Sequence, residues 1–133
     1  MTRSTTKRRS ATLAAGCVAA VAGTLAAAAV AVAPASANVS GPVNLSPGFA
    51  GRYGVGCTYI ISVTADIGGP VLFREQGIPF ASVPVVNGTA TTTWAPTASG
   101  LRTLSARQGA TPPVTRTVNV GTGINLGFFC PVF

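Results

Sequence analysis

A chain of 133 residues is long enough for one domain of ordinary size. It is 47% hydrophobic and only 8% charged, carries a formal net charge of +7 and has no histidine. The missing imidazole excludes Ser-His and Cys-His nucleophile activation, and the single lysine, Lys7, lies in the basic N-terminus.

The chain begins with Arg3, Lys7, Arg8 and Arg9, continues through an alanine-rich, uncharged stretch from Ala11, and reaches Ala35-Ser36-Ala37. A basic segment, an apolar segment and a small-x-small site, in that order, form a secretory signal peptide. Residues 1–37 are therefore expected to be a leader, cut between Ala37 and Asn38. Arg8-Arg9 is not followed by the bulky apolar pair of a twin-arginine signal, since Ser10-Ala11-Thr12 comes next. Cys17 is not read as a lipid-modified terminus. Only six residues, Ala11 to Gly16, separate it from the basic segment, and the apolar run continues well past it.

Removal of the leader changes the charge. Residues 38–133 hold five arginines (Arg52, Arg74, Arg102, Arg107, Arg116) and two acids (Asp66, Glu75), a net charge of +3. The high whole-chain charge is then mostly a leader property and gives no ground for nucleic-acid binding. Two cysteines remain, Cys57 and Cys130, and export to an oxidising compartment pairs them.

No segment of 38–133 reads as a helix, because Gly, Pro, Thr and Val dominate. An irregular edge strand is expected around Val43-Asn44-Leu45, between Pro42 and Pro47. Cys57 to Ala65 alternates, with Cys57, Tyr59, Ile61, Val63 and Ala65 on the buried face. Asp66 to Pro70 is a turn cluster, Val71-Leu72-Phe73 opens a strand, and Glu75-Gln76-Gly77 ends it. Phe80 to Val86 is extended. Asn87-Gly88 favours a type I′ turn, since both residues tolerate positive φ. Thr89 to Trp94 alternates, with Ala90, Thr92 and Trp94 on one face. Leu101 to Arg107, with Leu104 and Ala106 inward, and Val114 to Val120 are the last long strands. The tail ends Phe128-Phe129-Cys130-Pro131-Val132-Phe133. Short strands with turns every eight to twelve residues predict an all-β sandwich of about seven antiparallel strands over residues 38–133. A membrane barrel does not fit, since its strands need an apolar outer face and these are threonine-rich.

From Val71 to Ala106 the chain resembles the bacterial immunoglobulin-like repeat domains of surface and secreted proteins. The resemblance rests on Val71-Leu72-Phe73, Glu75-Gln76-Gly77, Asn87-Gly88-Thr89-Ala90-Thr91, Trp94-Ala95-Pro96, and Gly100 through Thr103-Leu104-Ser105-Ala106. It implies an immunoglobulin-like sandwich with a non-catalytic role in surface architecture or binding. The family usually lacks cysteines and occurs in tandem arrays, so the Cys57–Cys130 pair and the single domain are departures. The second cysteine lies beyond the last strand, where it would staple the tail to the strand that Cys57 opens.

The carboxylates Asp66 and Glu75 stand nine residues apart, roughly 25–30 Å if extended, against the ~5–9.5 Å of a glycosidase pair. Asp66 reads as turn chemistry and Glu75 as solvated surface. Metal ligands are too few for a zinc site, and no cofactor motif is present. By parity Arg74 and Arg107 point outward, while Arg102 and Arg116 lie in phase with inward residues and belong at the rim. Trp94, Phe73, Phe80 and Tyr59 are expected in the core. The tail aromatics Phe128, Phe129 and Phe133 are expected to cover an open end of the sandwich. At least one stays exposed, because neighbours in an extended tail face opposite ways, and that residue is the candidate partner surface. The expected function is a secreted, non-enzymatic binding or structural module with an unidentified protein or cell-surface partner. No nucleic acid and no stable membrane insertion are expected. The alternative is a small-ligand carrier or inhibitor on the same scaffold. N-terminal sequencing of the exported protein should begin at Asn38; a diacylated Cys17 terminus would overturn the processing assignment.

Overall fold

The structure, a computed structural model, describes residues 36–133. The expected leader, with Arg8-Arg9 and Cys17, lies outside the described residues except for Ser36 and Ala37. Eight strands follow: β1 (Asn44–Leu45), β2 (Tyr53–Val55), β3 (Tyr59–Thr64), β4 (Val71–Glu75), β5 (Ile78–Val83), β6 (Thr89–Trp94), β7 (Gly100–Gln108) and β8 (Val114–Thr122). Among the described residues the one helical element is a 3-10 turn, Phe49–Gly51. The strands form a three-stranded sheet, β1-β3-β6, and a five-stranded sheet, β2-β8-β7-β4-β5. Both contribute to one core, the arrangement of a β-sandwich.

One pairing departs from the all-antiparallel expectation. β2 runs parallel to β8, with Gly54 opposite Gly121. β1 and β2 are two pieces of one N-terminal run, split by Pro47-Gly48 and the 3-10 turn, in which Ala50 has φ 51. The first piece pairs with β3, and the second crosses to the edge of the other sheet beside β8.

The expected alternation of β3 is present: Tyr59, Ile61 and Val63 are buried while Ile60 is exposed. From the facing sheet come Val71, Phe73, Leu104 and Ala106, all fully buried. Burying a side chain of Val, Leu, Ile or Phe size contributes about 1.5–3 kcal/mol, so this interior carries much of the stability. Asn87 and Gly88 adopt φ 50 and 75, as a type I′ turn requires. Val86 and Thr89 exchange both backbone bonds, at 2.9 and 3.0 Å. This turn reverses the chain between layers, however, because β6 pairs with β3 and not with β5. That register sets Ala90 opposite Val63 and Trp94 opposite Tyr59, all facing the core.

β5 begins at Ile78, two residues before the extended run read from the sequence, because Gln76 and Gly77 (φ 49 and 81) form a tight turn. Its register against β4 slips from Phe73–Ala81 to Arg74–Pro79, which leaves Phe80 as a bulged residue. Phe80 is consequently 38% exposed and not a core residue, although its ring stays 6.2 Å from that of Phe73. A proline and a bulge on an edge strand also discourage pairing with another chain.

Gln108 is completely buried at the end of β7. Its Nε2 donates to the carbonyls of Asp66 at 2.7 Å and Gly69 at 2.8 Å. The amide thereby holds the β3–β4 turn through two of its carbonyls. Gln108→Leu keeps the volume but strands both carbonyls, at a cost of about 1–3 kcal/mol each if they stay buried. The thermal midpoint should fall by several degrees or more; an unchanged denaturation curve would show that the turn needs no such clamp.

Candidate functional site

The candidate surface lies where the disulfide closes one end of the sandwich. Cys57, just before β3, is bonded to Cys130 across 73 residues, with Cα atoms 5.9 Å apart. That separation is within the ordinary range for a disulfide. Backbone approaches beneath it are close. A Cβ on Gly123 would lie 2.5 Å from Cys57 Sγ, and one on Gly54 would lie 2.7 Å from Val132 Cγ2. Both positions therefore require glycine. Tyr59 completes the floor: its hydroxyl accepts the Gly54 N–H at 2.7 Å. Its ring packs against Tyr53 at 5.0 Å and Trp94 at 5.8 Å.

The tail is not an extended plug. Gly123 bridges Val132, Ile124 N–H donates to Pro131 at 3.0 Å, and Leu126 N–H donates to Phe129 at 3.0 Å. The chain thus folds back on itself around Gly127, whose φ is 88. Asn125 secures the loop from both ends of its amide. Its Oδ1 accepts Gly127 N–H at 2.9 Å, and its Nδ2 donates to Gly56 at 3.1 Å.

This turn overturns the expected covering role of the tail aromatics. Phe128 and Phe129 do not face opposite ways; their rings sit 4.7 Å apart. Phe128 is 89% exposed and Phe129 39%. Phe49, on the 3-10 turn, joins them with its ring 6.1 Å from Phe129. The three rings border an open cleft of about 380 Å³ lined by no charged residue. Phe133, also exposed, stands apart: its backbone pairs with Thr122, and its ring borders a different depression beside Arg52, Tyr53 and Asn119. Sequence reading missed Phe49, and its one signal was an aromatic between Gly48 and Gly51 in a segment without strand pattern. The end of the sandwich is closed instead by the disulfide, Tyr53, Tyr59 and Val132, all buried but for the half-buried Cys130.

Glu75 is a second correction. It is not solvated surface: its side chain is 17% exposed, and its Oε2 accepts the Trp94 indole N–H at 3.1 Å. Arg102 Nε lies 3.5 Å from the other oxygen while donating to Ala98 at 3.1 Å. Strand parity already placed Glu75 in phase with Val71 and Phe73. Its position at the head of the turn-like run Glu75-Gln76-Gly77 concealed this. A buried indole N–H needs an acceptor, and Glu75 supplies it across the two layers. Asp66 is exposed in its turn, as expected. Arg102 and Arg116 are half buried within the regular β7–β8 ladder, not at strand ends or bulges, and Arg116 reaches across to the Val43 carbonyl at 3.3 Å.

No family model, curated protein or solved structure matches this chain. Replacing Cys57 and Cys130 together by serine should lower stability by about 2–5 kcal/mol, measured by denaturant unfolding of the exported protein. Equal stability of the two forms would mean that the tail loop holds itself in place.

Proposed function

We propose that this chain is a secreted, non-catalytic immunoglobulin-like module that binds a partner in the extracellular space or at the cell wall. The fold assignment is supported by strand order. The sheets β1-β3-β6 and β2-β8-β7-β4-β5 correspond to the A-B-E and G-F-C-C′ order of immunoglobulin-like domains, with β2 as the displaced second half of strand A. The likeness of residues 71–106 to bacterial immunoglobulin-like repeats agrees with it. Export is supported by the leader pattern and by the formed disulfide. No described helix is long and apolar enough to cross a membrane.

The observation that carries the binding role is the aromatic ridge of Phe49, Phe128 and Phe129. Aromatic side chains immobilised by a cross-link lose little entropy when a partner covers them, and such anchors dominate interface energetics. Leu126 is half exposed on the same loop. A small-ligand carrier would use the cleft beneath the rings instead.

The exported protein and its Phe128→Ser variant distinguish these readings. The variant should keep its thermal midpoint within a few degrees, since the ring makes little buried contact. Its retention by a cell-wall preparation should drop at least about tenfold, the loss expected for an interface anchor. Equal retention of both proteins, or retention of neither, would refute the ridge as the binding surface. Uptake of an apolar dye by the wild type alone would favour the carrier.

A further inference from the structure

The outer face of the five-stranded sheet carries a second chemistry, remote in kind from the aromatic ridge. Across β4, β7 and β8, Arg74 stands opposite Ser105, and Ser105 stands opposite Thr115. Two residues along β7 in either direction are Thr103 and Arg107, on the same face. Arg107 is thus the diagonal neighbour of Arg74, a relation that puts Cα atoms about 7–8 Å apart. These five residues, with Gly77 and Pro113 at the rim, line a depression of about 260 Å³.

Neither guanidinium is neutralised. The two acids of the described residues are used elsewhere, Glu75 inward with Trp94 and Arg102, and Asp66 in the β3–β4 turn. Arg74 and Arg107 have no ion-pair or hydrogen-bond partner among the described residues, and both side chains are half buried. Arg74 Nε is fully enclosed and donates to no protein acceptor. A buried donor without an acceptor is uncommon in a folded protein and requires a reason. Two cations sharing one concavity, with no counter-charge in the protein, repel each other. A bound anion on the outer nitrogens of the two guanidiniums removes that repulsion. The hydroxyls of Ser105 and Thr115 add donors from other directions, beside Thr103, whose own Oγ1 is bonded to Thr117 Oγ1 at 3.1 Å; this suits a tetrahedral oxyanion better than a planar carboxylate.

We infer that Arg74 and Arg107, gathered around Ser105, form an oxyanion site that takes a phosphate or sulfate group. On an exported protein the group would be an ester on an extracellular polymer or the free ion. The site stands independently of the aromatic ridge.

Titration of the full chain with inorganic phosphate and with sulfate, at constant ionic strength maintained with chloride, tests this. The Arg74 Nε–Hε NMR resonance should shift saturably with either anion and not with acetate. Arg74→Gln and Arg107→Gln should each weaken binding about tenfold, the usual scale for a charge-assisted hydrogen bond. Arg52→Gln, exposed and outside the depression, should leave it unchanged. All three variants should melt within a few degrees of the wild type. Competition by polyphosphate or by a sulfated glycan assigns the ester; competition by neither assigns the free ion. A chloride-like response to phosphate and sulfate, or equal loss in Arg52→Gln, would falsify the site.

Discussion

The bond between Cys57 and Cys130 organises one whole end of this molecule. It fixes the tail against the start of β3, and the surrounding backbone is packed to suit it. Gly54 and Gly123 admit no side chain there, and Tyr59 and Tyr53 fill the space beneath. The loop around Gly127 exists because its two ends are held, at Cys130 by the disulfide and at Gly123 by the bridge to Val132. Its aromatic rings are consequently presented outward on a cross-linked support.

The second organising feature is the set of polar side chains that tie the two layers to each other or to their connecting turn. Glu75 accepts from Trp94 across the interior, Arg116 reaches the Val43 carbonyl, and Gln108 holds the turn between β3 and β4. Each sits at the margin of the apolar core, where a long side chain can keep part of its stem among apolar neighbours. In so small a domain these ties matter, because the net stability of a folded protein is only about 5–15 kcal/mol.

Glu75 is thereby withdrawn from the outer sheet face and Asp66 lies in the β3–β4 turn, which gives that face its electrostatic character. Had Glu75 pointed outward, it would have neutralised Arg74 or Arg107. Its use as the indole acceptor leaves the two guanidiniums facing only hydroxyls. The arginine depression thus follows from a chain with few charges, one of whose two acids is taken up by Trp94 and Arg102, while the aromatic ridge follows separately from the cross-link.

The residues alone determined the all-β character, most strand positions and their inward faces, the Asn87-Gly88 turn and the cysteine pair. These follow from local rules: period-two alternation, positive-φ tolerance, and the lack of any other thiol in residues 38–133. Pairing between distant segments was decided only by the tertiary structure. That β2 lies parallel to β8, that β6 joins β3, and that Phe80 bulges outward all depend on which strand edge is free to accept another. The exposure of Phe128 and the burial of Glu75 were decided the same way. A side chain's solvent contact depends on what the rest of the chain brings above it, and neither Gly127's turn nor the indole of Trp94 is visible from the immediate neighbours of those residues.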